Sequence, residues 1–207
     1  MSDELGKSKS AGKRGKEPSQ PLVFHAKSGL AAYDAAAFYG APPVHGPAIR
    51  SELGFGAMFQ ARMRRVPEVE ANSGGDLVLL MVSSAQHEIE VWMDGRHRGC
   101  VGFRRGDLVL VPPGMASRWC AKDGQASVVH LHVTAERLAQ TLADEPSCTA
   151  LNLVPGLAFR DPVLQRLMTA AARLDETDAL SSLQVAAIGA SALLQVLRHP
   201  PPGLGLV

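Results

Sequence analysis

Between Phe55 and Val133 the apolar residues fall into short runs separated by turn-forming residues. From Phe55 to Met63 they alternate, with Phe55, Ala57, Phe59, Ala61 and Met63 on one side and Gly56, Met58, Gln60 and Arg62 on the other. Such alternation describes a strand with one packed face. Leu77–Val82 (LVLLMV) is continuously apolar and short, which fits a strand covered on both faces. Ile89–Met93 and Arg96–Val101 flank Asp94-Gly95, a pair suited to a two-residue turn in which both residues take φ > 0. Leu108–Val111 follows Gly106-Asp107 and is stopped by Pro112-Pro113. Ser117–Cys120 and Ser127–Val133 are expected to pair with each other across Lys122-Asp123-Gly124. Strands this short and this regularly punctuated predict an antiparallel barrel or two-sheet sandwich, which removes the exposed edges such a set would otherwise present.

After Val133 the period becomes helical. Thr134 is placed to cap a helix reaching Ala143, with Glu136 in its first turn. Asp161 and Pro162 mark the start of a second helix with a stripe of Val163, Leu164, Leu167, Met168, Ala171 and Leu174. A third helix begins near Ser181, whose hydroxyl and Gln184 suggest a capping box, and carries Leu183, Ala186, Ala187, Ala190, Leu193, Leu194 and Leu197. Pro200-Pro201-Pro202 ends it. The fold class expected is therefore mainly β with C-terminal helices, a β-barrel followed by a helical hairpin. The divisions are a basic disordered tail at 1–20, an irregular lead-in at 21–54, the barrel at 55–154, the helical hairpin at 155–199 and a disordered end at 200–207. In the lead-in, Leu22–Phe24 could form a strand and Ala31–Phe38 a short helix, and Gly40–Pro43 and Gly46-Pro47 enforce loop. The two long apolar stripes exceed what a barrel wall needs, so Leu164, Leu167, Met168, Leu193, Leu194 and Leu197 are candidate dimerisation residues.

Composition narrows this picture without redirecting it. At 207 residues, with 46% hydrophobic and 20% charged residues, the chain can bury a substantial core. A net charge of +1 gives no global argument for nucleic acid or membrane. Three cysteines, Cys100, Cys120 and Cys148, without a C-x-x-C pair suit a reducing compartment, so a cytoplasmic location is expected. No apolar run approaches the roughly 18 residues of a membrane span, and no apolar core follows the N-terminal lysines as in a secretory signal. Lys7, Lys9, Lys13, Arg14 and Lys16 fit a solvated tail, phosphate contact being the other use of such a cluster.

Arg105-Gly-Asp-Leu-Val-Leu-Val-Pro-Pro-Gly114, then Arg118-Trp119, then Val129-His-Leu-His-Val133, resembles the N-terminal domain of AraC-type transcription regulators. The order of barrel, linker, Asp161-Pro162 helix and second helix is similar too, over roughly residues 55–198. The resemblance implies a cupin-like jelly roll that binds a small effector, with the following helices mediating dimerisation. Those regulators continue into a pair of helix-turn-helix motifs, whereas this chain stops at Val207 with no basic recognition helix. It implies a sensing and dimerising module, as homodimer or mixed dimer with a full-length relative, without direct nucleic-acid or membrane contact. A truncated product, a fragment and a standalone module remain open alternatives.

Candidate chemistry is sparse. Metal-dependent cupins converge histidines and a glutamate inside the barrel. Gln86-His87-Glu88-Ile89-Glu90 supplies a single histidine, and Ser117 or Arg118 stands where the second motif would place another. The expectation is no metal, no cofactor and no enzymatic activity. The alternative is a small metal-dependent dioxygenase or isomerase using His87, Glu88, His130 and His132. His130 and His132, two apart in a strand, share a face and are candidate ligand contacts if that face is interior. Trp92 and Trp119 are candidate stacking walls, with core or rim packing as the alternative for each. Arg62 and Arg118 are candidates for an anionic effector, and Cys120 reads as a buried thiol. No Ser-His-Asp spacing, phosphate-cradling glycine loop or zinc signature is present.

Overall fold

The computed structural model describes residues 44–64, 69–72, 76–83, 87–121, 125–144, 153–175 and 177–202. Ten strands and three helices follow one another in these residues: β1 Val44–Ser51, β2 Phe55–Arg64, β3 Val69–Asn72, β4 Leu77–Val82, β5 His87–Met93, β6 Arg96–Phe103, β7 Leu108–Val111, β8 Ala116–Ala121, β9 Gln125–Val133, α1 Ala135–Asp144, β10 Gly156–Phe159, α2 Pro162–Ala171 and α3 Ser181–Arg198. One sheet has the order β1-β2-β9-β4-β7-β10 and the other β3-β8-β5-β6. Every pairing is antiparallel. Apart from the β1–β2 and β5–β6 hairpins, every pairing joins strands that are not consecutive in sequence, the interleaving of a jelly roll.

Several local signals act as read from the sequence. Asp94 (φ 49) and Gly95 (φ 71) both lie in the left-handed region and join β5 to β6. Asp161 accepts hydrogen bonds from the Val163 and Leu164 amides, with Pro162 opening α2. Thr134 Oγ1 accepts from the Arg137 amide at the start of α1. Strand β4 is buried almost throughout, as its unbroken apolar run requires.

Other expectations are corrected. β8 and β9 do not pair: β8 joins β3 and β5, and β9 joins β2 and β4 in the opposite sheet. Adjacency in sequence misleads here, because the chain crosses from one sheet to the other between β8 and β9. Residues 44–51, expected as loop, form strand β1, and the register shift between His45 and Ala48 accommodates Gly46-Pro47. Proline is tolerated there because β1 is an edge strand. The alternation expected along β2 is interrupted by a register shift between Gln60 and Met63. Residues 156–159, assigned to the helical part, form β10 on the edge of the larger sheet. Ser181 is not an N-cap; it is the first residue of α3, buried, and its hydroxyl donates to the Asp175 carbonyl. The proposed tail at 1–20, the Leu22–Phe24 and Ala31–Phe38 segments, Cys148 and residues 203–207 lie outside the described residues.

The helices do not form a separate hairpin. Leu164 and Met168 of α2 and Val185, Ala192, Leu193, Val196 and Leu197 of α3 are buried in one cluster with Phe55, Leu79, Leu110 and Leu131 of the larger sheet. A second cluster fills the space between the sheets: Val78, Val82, Val109 and Val111 meet Val91, Met93 and Phe103. The molecule is layered helix, sheet, sheet, with an apolar layer at each junction.

Candidate functional site

The position of every inner residue follows from strand parity. On β4, Leu77, Leu79 and Met81 join the helix-side cluster, and Val78, Leu80 and Val82 the inner one. On β7, Leu108 and Leu110 face the helices, and Val109 and Val111 face inward. On β9, Val129, Leu131 and Val133 go to the helices. His130 and His132 therefore face the space between the sheets, as does Val128. The register makes two rows across the sheet, Gly56–His132–Val78–Val111 and Met58–His130–Leu80–Val109. Gly56 brings no side chain to its place beside His132.

Both histidines are nearly inaccessible, His130 at 2% and His132 at 6% exposure. Their rings lie 6.0 Å apart between centroids and 6° from parallel. Burial, and secondly the neighbouring His132, hold the His130 imidazole well below its usual range, so it is neutral at physiological pH. A neutral imidazole offers one donor and one acceptor. From the opposite sheet the inner layer receives Ser117 and Trp119 of β8, whose indole Nε1–H donates to Ser117 Oγ at 2.9 Å. Trp119 also meets Phe103, centroid to centroid 6.2 Å. The interior is thus an apolar layer of valines, Met93 and Phe103 with a few uncharged polar groups. That composition suits binding a neutral molecule through hydrogen bonds.

The remaining candidates are placed elsewhere. Trp92 lies on the outer face of the smaller sheet, because its neighbours Val91 and Met93 point inward. There it packs against His97, centroids 4.9 Å apart, and under the Arg118 guanidinium, 4.8 Å from the ring centroid. Trp92 and Arg118 are therefore corrected to an external cation–π pair and are removed from the interior. Glu88 is exposed on that same outer face, on the far side of the sheet from His130 and His132. It is not in reach of them as a shared ligand set. The side chains of Arg62, His87 and Cys120 lie outside what the structure describes. Among the described residues no three His, Cys, Asp or Glu side chains group so as to hold a metal ion.

Of the dimerisation candidates, Leu164, Met168, Leu193 and Leu197 are buried against the larger sheet and Leu167 packs partly against the same cluster. The four buried leucine and methionine side chains are consumed by the fold and cannot also face a partner, whereas Leu167 stays partly exposed. Leu194 is 40% exposed, and Leu183 at 60% and Leu180 at 58% join it on the solvent side.

Residues that the sequence did not mark as site candidates complete the surroundings. Asp107, buried, accepts from the Arg104 amide at 2.7 Å and from Arg160 Nε at 2.8 Å. Gln165 Nε2 donates to the Gly106 carbonyl at 2.8 Å. Arg160 and Gln165 are more than fifty residues from their partners, so no local spacing announces them.

No family model matches the chain, and no curated protein does. Solved structures similar to it are cupin-fold proteins. The Clostridium difficile EutQ protein is 18% identical over 40% of this chain and 58% of its own, with a TM-score of 0.30. The Cnp3 cupin domain of Schizosaccharomyces pombe is 16% identical over 49% of this chain and 73% of its own, at 0.37. KdgF from a Halomonas species is 14% identical over 42% and 74%, at 0.34. The chain spans 58% of the length of the EutQ protein it matches. At these values the likeness concerns part of the fold; the jelly-roll assignment rests on the strand order itself. Among the described residues no helix is long and apolar enough to cross a membrane.

Proposed function

We propose that the chain is a ligand-sensing and self-associating module of the AraC type, without enzymatic activity of its own. The observation that carries this reading is the parallel His130–His132 pair, buried and turned into an otherwise apolar interior. Burying two polar imidazoles in such a layer carries a desolvation penalty, and their ring nitrogens give an otherwise apolar interior the polar points by which an uncharged effector is recognised. Its class would be neutral and largely apolar with one or two hydrogen-bonding groups, since Arg118 faces the other way. The output would be the pairing of α3 with a second copy through Leu180, Leu183 and Leu194. The reading as a metal-dependent enzyme loses Glu88, which is on the outside.

A panel of sugars, neutral aromatic alcohols, aliphatic alcohols and carboxylic acids, read by melting temperature, tests the reading. An effector at a hundred times its Kd stabilises by about 2.7 kcal/mol, and His132→Phe should abolish that shift. If every compound that shifts the native protein shifts His132→Phe equally, the interior is not the site.

A further inference from the structure

We propose that β10 and the residues flanking it, Gly156–Asp161, form a strap that closes the β6–β7 side of the sandwich and couples the interior to the seating of α2 and α3. This rests on the interior being the ligand site. β10 pairs with β7 through Gly156↔Leu110 and Phe159↔Leu108, so Leu157 and Ala158 together oppose the single residue Val109. This one-residue bulge lets both of them pack on the inner cluster, while Phe159, next in the chain, is buried in the helix-side cluster. The strand also approaches β6 of the opposite sheet. Consecutive residues of one short strand therefore touch both apolar layers.

The strap is held at each end by α3 or its continuation. A Cβ on Gly156 would stand 2.8 Å from Pro201 Cβ, so the segment after α3 lies directly on it. At the other end Asp161, which caps α2, accepts from Gln195 of α3 at 2.8 Å. Arg160 adds its bond to Asp107 on the turn before β7. Within the strap Ala158 has φ 49, the left-handed conformation that such a bulge usually gives to glycine. A residue held there stays only while its surroundings over-determine it. Moving Leu157 and Ala158 outward would relieve Ala158, and the continuous backbone would carry Phe159 and Asp161 with them. The α2 cap and its bond to Gln195 would then shift.

The experiment uses the full chain carrying Trp92→Phe, which leaves Trp119 as the remaining tryptophan of the two in the sequence. Arg160→Ala removes the ion pair at a side chain that is 57% exposed, and Ala158→Gly removes the strain. Hydrogen exchange by mass spectrometry, acrylamide quenching of Trp119 and uptake of the neutral dye N-phenyl-1-naphthylamine are compared. Arg160→Ala should speed exchange of 156–161 and of the α2 N-terminus about tenfold, with β4 and β9 unchanged, and make Trp119 more quenchable. Ala158→Gly should slow exchange in the strap. Faster exchange confined to Arg160 itself with Trp119 unmoved would overturn the strap. If Arg160→Ala instead exchanges globally, Ala158→Gly decides, and an unchanged strap in that variant overturns the proposal. Opening of strap and α2 without dye uptake keeps the strap and rejects the interior as the ligand site.

Discussion

Asp76 stands immediately before β4, 2% exposed, with the Ala135 amide at the start of α1 donating to its carboxyl group. Among the described residues its Oδ2 has no hydrogen bond. Burial pushes its pKa from 3.8 up to about 7, against the lowering effect of that amide. Below about pH 4 both folded and unfolded chains hold the proton, and no stability difference arises. As pH rises from there to 7 the unfolded chain releases the proton first, so the folded state loses stability across that window. Asp76→Asn keeps an acceptor for the Ala135 amide and has no charge to bury. It should be more stable than the native protein by a few kcal/mol at pH 8, with the difference vanishing near pH 4. Urea melts across that range check this; parallel curves for the two proteins would contradict it. The sequence showed Asp76 only as a polar residue before an apolar run. His130 and His132 were legible as sharing a face, but which face depended on the clusters packed on either side of β9.

Among the elements, α3 shows most directly how a helix's own spacing can misplace its buried stripe. The stripe read from its sequence takes in Leu183, Ala187 and Leu194, which are exposed, and leaves out Val185, Ala192 and Val196, which are buried. Gly189 decides the rotation. A Cβ there would lie 2.4 Å from Phe55 Cδ1 and 2.7 Å from its Cγ, so the helix meets β2 at its one residue without a side chain. Gly189→Ala gains up to about 1 kcal/mol of helix propensity, yet it forces apart two rigid groups. We expect a net loss of about 1–3 kcal/mol in denaturant unfolding, partly recovered by Phe55→Leu in the same chain. A neutral or stabilising effect of Gly189→Ala would mean that α3 is seated elsewhere. By contrast α2 and the β5–β6 hairpin were legible in advance, because Asp161-Pro162 and Asp94-Gly95 act through bonds to residues within a turn.

For the whole molecule, the consequence is that one helical face is used twice in expectation and once in fact. The stripe proposed to join two chains instead joins α2 and α3 to the larger sheet. Leu193→Glu should therefore unfold the protein rather than split a dimer. Leu183→Glu with Leu194→Glu should leave the fold intact and yield monomers in sedimentation at micromolar concentration. An unchanged oligomer in the folded double variant would reject α3 as the self-association surface. By itself the sequence determined strands β2 and β4 to β9, the Asp94-Gly95 turn, the α2 cap and the mainly-β class, since each depends on residues close together in the chain. Only the tertiary structure decided that β8 and β9 part to opposite sheets, that Trp92 lies outside and the histidines inside, and that β10 spans both apolar layers. Those outcomes follow from which strands pair and which faces are covered, and such contacts join residues that no local spacing relates.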